Sequence, residues 1–183
     1  MTSNIKDKNK GFTLIELVIA IFILTVAIIG IYNSFSSTVI LTAGSSSRLT
    51  AAYIGQEGIE IVRNIRDNNW VQGKEWDAGL LDCENGCEAD YKTGTSSEVT
   101  PLVSFGSTGN YLNINDSGFY SYDSVGSFST TKFKRKITIT KDITKPNVLK
   151  ISVLVTWKEK EQEGCDSGAG FCITVEEYLY NWY

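Results

Sequence analysis

Glu16 is the residue whose surroundings most demand a chemical explanation. From Leu17 to Ile31 every residue is apolar or glycine except Thr25, and the carboxylate stands at the head of that run. An ionised carboxylate in hydrocarbon costs several kcal/mol unless it finds a partner, so a charge kept there points to a functional role. The bland alternative is an interfacial Glu whose carboxylate reaches the headgroups. Just before it lies the junction Gly11-Phe12, preceded by Lys6, Lys8 and Lys10.

Four cysteines are the other reactive groups. Cys83 and Cys87 flank the turn-forming Asn85-Gly86, and Cys165 and Cys172 bracket a glycine-rich loop. Four cysteines allow three connectivities. Glycine in each loop favours the two local pairs, with crossed pairs as the alternative. Four thiolates can also hold zinc, but neither spacing matches the usual ligand pairs, so no metal is expected. Asp82, Glu84, Asn85, Glu88 and Asp90 form an acidic cluster. Its order does not fit a calcium-binding EF-hand, and a solvated acidic loop is the simpler reading. Lys132, Lys134 and Lys136 alternate along one strand and share a side, either the wet face of a sheet or a small anion- or DNA-contacting face. Arg135 falls on the opposite face beside Phe133 and Ile137, where it needs an acidic partner. Histidine is absent, which removes the commonest general base and zinc ligand. With no nucleophile–base pair, phosphate loop or carboxylate dyad, the chain does not read as an enzyme, and no cofactor is implied.

The elements that position these groups begin with length. From Phe12 to Tyr32, about 21 residues rising 1.5 Å each span roughly 31 Å, the thickness of a bilayer's hydrocarbon core. The three lysines before the run predict an N-inside, C-outside, single-pass topology. From Arg48 the pattern becomes amphipathic, with Leu49, Ala52, Tyr53, Ile59, Val62 and Ile65 recurring at threes and fours. One helix is expected from Phe12 to about Asp67, with bends or melting points at Gly30, Gly44 and Ser45-Ser46-Ser47, and with Asn68, Asn69 and Gly73 ending it. Residues 73–100 read as an irregular loop tied by cysteines. Strands are expected at Leu102–Phe105, Tyr111–Ile114, Phe119–Tyr122, Lys132–Lys141, Val148–Trp157 and Cys172–Tyr180, with the fourth and fifth paired as a hairpin. A helix followed by consecutive strands gives an α+β architecture, a long N-terminal helix packed on an antiparallel sheet. At 183 residues the chain suits an anchor plus one compact domain.

Gly11-Phe12-Thr13-Leu14-Ile15-Glu16, with its basic leader and following apolar helix, resembles the processing signal of type IV prepilins and pseudopilins. The stretches GQEGIEIVRNIRDNNW and VEEYLYNWY are further similar to minor pilins of the pilus-modification (PilV-like) kind. The resemblance implies a leader over 1–11, a transmembrane half-helix over 12–33 and an extracellular α+β head over 34–183. It implies cleavage after Gly11 by a prepilin peptidase and methylation of the new amine at Phe12. It also implies that Glu16 meets the free N-terminal amine of a neighbouring subunit when the helices form a filament core. The implied partners are that peptidase, other pilin subunits, the assembly platform and the inner membrane. A mature chain from Phe12 carries 14 basic and 20 acidic residues, a net charge of −6, which argues against nucleic-acid binding. The expected function is a minor type IV pilin-like subunit. The alternatives are a minor pseudopilin of a type II secretion system and a filament-tip adhesin or DNA-uptake receptor. The family's usual helix-kinking proline is missing, since the only prolines are Pro101 and Pro146.

Overall fold

The computed structural model describes residues 11–94, 102–124, 126–142, 144–159, 162–163, 165 and 171–182. Their contacts divide the chain into two compact units, Met1–Ser45 and Ser46–Tyr183. Helix α1 runs Leu14–Val71, starting two residues later and ending four later than the sequence pattern suggests. Gly30, Gly44 and Ser45–Ser47 lie within continuous helix, so the expected local melting is not seen. Helical hydrogen bonds close over isolated glycines, at a cost of only about 1 kcal/mol each. The helix ends in a Schellman motif. The Gly73 N–H donates to Trp70 O (3.0 Å) and the Lys74 N–H to Asn69 O (2.9 Å), with Gly73 at φ +67°, a conformation that favours glycine.

In the first unit every described side chain up to Val39 is exposed. The polar side chains there satisfy themselves locally: Thr25 Oγ1 donates to Phe22 O (2.8 Å), Ser37 Oγ to Asn33 O (3.0 Å) and Thr38 Oγ1 to Ser34 O (2.9 Å). Such back-bonding satisfies these three hydroxyls within the helix and suits an apolar surround.

The second unit is a single antiparallel sheet against the C-terminal part of α1. Its strands are β1 (Cys87–Glu88), β2 (Val103–Ser104), β3 (Tyr111–Asn115), β4 (Tyr120–Ser121), β5 (Phe128–Asp142), β6 (Lys145–Glu159), β7 (Gln162–Glu163) and β8 (Cys172–Tyr180). β5 pairs β6, and β6 pairs β8, while β1 and β3 line the other side of β5. The β5–β6 hairpin is longer than expected, because Asp142 pairs with Lys145 and Pro146 lies inside β6. Alternation along β6 holds: Leu149, Ile151, Val153, Val155 and Trp157 are buried, opposite Ile139, Ile137 and Phe133 of β5 among others.

The helix presents the expected face at Ile59, Val62 and Ile65 but not at its start. Leu49 and Tyr53 are exposed (58% and 64%), whereas Ala51, Ile54, Ile59, Ile61, Val62 and Ile65 are buried. The reason is backbone proximity. A Cβ on Gly55 would lie 2.8 Å from Val175 Cγ2, and one on Gly58 would lie 3.0 Å from Val153 Cγ1 and 3.1 Å from Arg135 Cδ. Two glycines one turn apart let the helix axis settle close to the sheet, and the buried stripe is centred on them.

Arg135 occupies that junction and is wholly buried. Its NH1 donates to Ile54 O (3.1 Å) and to Glu57 Oε2 (3.1 Å), and its NH2 to Ala89 O (2.5 Å). One side chain on β5 thus ties together the helix and the segment after β1, and Glu57 is the acid that its position called for. Tyr122 donates from Oη to Arg135 O (3.2 Å), and burial pushes its phenol well above the ordinary tyrosine range.

Residues 73–94 are better packed than an irregular loop. Trp76, Leu80, Cys83, Cys87 and Ala89 belong to the main core, a 3-10 turn spans Leu81–Cys83, and Asn69 Nδ2 donates to Trp76 O (3.2 Å) and Ala78 O (3.0 Å). A guanidinium without its carboxylate in this core is an uncompensated buried charge. Glu57→Ala should therefore destabilise the domain by about 3 kcal/mol, and the pair replacement Arg135→Met with Glu57→Leu by less. Leu49→Ala should be near neutral. Chemical unfolding of the full chain in detergent or nanodiscs checks all three, and a loss for Glu57→Ala no larger than that for Leu49→Ala would contradict the assignment.

Candidate functional site

The N-terminal segment is built by a local capping arrangement. Gly11, Phe12 and Thr13 are non-helical and exposed, and nothing lies within 4 Å of a Cβ placed on Gly11. The Gly11–Phe12 bond is therefore in open chain, immediately before the helix. Thr13 stops the open chain: its Oγ1 accepts from the Glu16 N–H (3.3 Å) and its carbonyl from the Leu17 N–H (3.2 Å). The first bond satisfies one of the orphan donors of the first turn and the second is the first i→i−4 bond of the helix. Glu16 lies in that first turn, where a negative charge is favoured by the helix dipole. The pattern Thr13-x-x-Glu16 is a capping-box sequence. It is a signal that reading Glu16 only as a charge in hydrocarbon passes over.

Beyond Glu16 the surface of the helix is apolar and unburied: Phe22 is 68% exposed and Ile31 70%. This helix is long and apolar enough to cross a membrane, with a mean hydropathy of 3.0 over its most apolar window. At 1.5 Å per residue, Leu14 to Tyr32 covers about 28 Å, comparable with a hydrocarbon core.

The other groups singled out by sequence resolve into structural parts. Cys83 is bonded to Cys87 and Cys165 to Cys172; the first pair is buried and Cys165 is exposed. The acidic cluster does not converge. Asp82, Glu84 and Asn85 are exposed, whereas Glu88 is buried and accepts from the Asn110 N–H (2.6 Å) and Nδ2 (2.8 Å). Asp90 accepts from the Lys92 N–H (3.0 Å) and the Tyr122 N–H (3.3 Å). The reading of a wholly solvated acidic loop thus fails for Glu88, whose carboxylate holds the turn before β3. Among the described residues no group of His, Cys, Asp and Glu is arranged to hold a metal ion.

The three β5 lysines do not act as one cationic face. Lys132 donates to Ser47 Oγ (2.7 Å), while the ammonium of Lys134 stands 4.4 Å from the Tyr111 ring centre and that of Lys136 5.5 Å from Phe105. At the C-terminal end of α1 the guanidinium of Arg66 contacts the rings of both Trp70 (4.7 Å) and Trp182 (5.2 Å), an arrangement that sequence spacing gave no means of pairing.

Exposure separates the two disulfides chemically, since exchange requires a thiolate to reach a sulfur. Mild reductant under native conditions should open Cys165–Cys172 well before Cys83–Cys87. Timed alkylation with peptide mass mapping checks this, and simultaneous or reversed opening would contradict it.

Residues 6–32 match the family model described as the prokaryotic N-terminal methylation motif. No curated protein matches the chain, and no solved structure does. The match covers the junction, the capped first turn and the apolar run together, and it indicates a type IV pilin- or pseudopilin-like protein.

Proposed function

We propose that the chain is a minor type IV pilin subunit, close in kind to the PilV-like pilus-modification proteins. Residues 1–11 are a cytoplasmic leader, 12–33 the membrane half of α1 and 34–183 a head outside the inner membrane. The observation that carries this reading is the methylation-motif match over residues 6–32, joined to an exposed, non-helical Gly11–Phe12 bond. A peptidase needs extended, reachable backbone at the bond it cuts, and a helix capped at Thr13 leaves that bond outside. Cleavage there removes the basic leader but keeps the apolar helix as an anchor. The new amine at Phe12 is then methylated.

The assembly mechanism follows from where apolar surface can go. In the membrane the exposed side chains from Phe12 to Tyr32 are solvated by lipid. In a filament they pack against the same run of neighbouring subunits, and Glu16 enters a medium in which a bare carboxylate is costly. The N-terminal amine of a neighbour at Phe12 is a cation of matching placement, and the pair penalises axial slips that leave either charge alone. The partners are thus a prepilin peptidase, the assembly platform and other pilins.

Glu16→Ala tests the assignment. The first turn keeps its Thr13 cap, so the variant should be inserted and processed normally. It should accumulate in the membrane and fall to background in sheared filament fractions, as read by quantitative immunoblot. Wild-type incorporation of Glu16→Ala would contradict the role given to the carboxylate. Loss of exported enzymes with intact filaments, on deleting the chain, would move it to a secretion pseudopilus.

A further inference from the structure

An exposed indole that lines a cleft together with a few polar groups makes a candidate binding site. Trp182 is 67% exposed and Val71 is 86% exposed, and both line a cleft of about 980 Å³ with Trp70, Asp67 and Lys74. A second cleft of about 290 Å³, running beside β8, shares Trp182 and Arg66 with the first. Trp182 therefore stands as a wall between two adjoining spaces.

The indole is held firmly. Arg66 is only 3% exposed, and its guanidinium contacts both indoles, whose ring centres lie 6.2 Å apart and whose planes are tilted by 58°. A desolvated guanidinium on an indole is among the stronger cation–π arrangements. Arg66 is itself anchored: Nε donates to Asp67 Oδ1 (2.8 Å), and NH2 lies 2.8 Å from the same oxygen. Both contacts fall on Oδ1 of a side chain that is 49% exposed, so Oδ2 is the oxygen a ligand would meet. The result is a rigid aromatic platform with a half-exposed carboxylate and the exposed Lys74 beside it.

We propose that this platform binds an oligosaccharide, with a pyranose ring flat against Trp182 and its hydroxyls donating to Asp67 and accepting from Lys74. Saccharides combine an apolar ring face with a rim of hydroxyls, and this cleft alternates in the same way. A purely apolar segment would bury Asp67 and Lys74 without partners. A nucleic-acid strand can stack bases on tryptophan, but its phosphates would meet Asp67 and a chain of net charge −4. The two clefts share Arg66 and Trp182 in their linings, which leaves room for more than one linked ring beside the indole. The inference concerns the head alone and does not rest on the assembly reading.

The full chain in nanodiscs should be titrated separately with chitohexaose, cellohexaose, maltohexaose and a thymidine oligonucleotide, read by calorimetry and tryptophan emission. At least one hexasaccharide should bind, Trp182→Ala should weaken it about tenfold or more, and Phe119→Ala, an exposed aromatic elsewhere on the head, should leave it unchanged. Failure of all three sugars to bind overturns the proposal, as does binding that survives Trp182→Ala. Binding of the oligonucleotide in place of any sugar, or a Trp182→Ala effect confined to self-association, overturns it too. No peptidase or filament enters the titration, so its failure leaves the assembly reading intact.

Discussion

The structure depends on a run of apolar side chains that stays exposed among the described residues of its own unit. From Phe12 to Tyr32 those side chains are exposed, and burying one such side chain is worth about 1.5–3 kcal/mol. A score of them in water would outweigh the few kcal/mol by which a domain is stable. The medium must therefore be lipid or the same run on other molecules. The exchange between those two media is the functional step proposed for the chain. Lipid and packed helices are similarly apolar, so the exchange is near neutral for leucine and isoleucine and costly for one group only. Glu16 is that group. In the assembly proposed above, its position in a capped first turn gives it a fixed place from which to select a cation.

The second unit solves a different problem with the same helix. There α1 must sit against a sheet, and Gly55 and Gly58 bring its backbone within side-chain reach of Val153 and Val175. Arg135 is wholly buried there; its two terminal nitrogens donate to Ile54, Glu57 and Ala89, while Nε has no partner among the described residues. The guanidinium thus joins β5, the helix and the segment after β1. Removing a buried ion pair's partner is expensive even where the pair itself adds little net stability. Its effect is to favour one register of helix on sheet.

Local features were legible in the sequence, and long-range ones were not. The helix shows because apolar length and period are local quantities, and its stop at Gly73 shows because a left-handed residue there favours glycine. The central β5–β6 hairpin follows from strict alternation over two adjacent stretches. Leu49 and Tyr53 misled because hydrophobicity was taken to mark the buried face, whereas the close approach at Gly55 and Gly58 defines it. The ordered core around Trp76, Leu80 and Cys83 was hidden because its partners lie far along the chain. Glu88 looked like one acid in a wet cluster, and only its meeting with Asn110 makes it a buried cap. Of the candidate site, the junction and Glu16 were visible as a motif. The Thr13 cap was present in the same six residues and went unread, and the stack of Trp70, Arg66 and Trp182 joins residues more than a hundred positions apart.

The most direct test of the account is intact-mass and N-terminal peptide analysis of the protein from native membranes. A mature chain that begins at Phe12 and carries one methyl group on its amine is the predicted result. A chain that still begins at Met1, in cells whose peptidase processes other prepilins, would contradict it. The apolar helix would then be an uncleaved anchor for an extracellular domain, and Glu16 would lack its proposed partner.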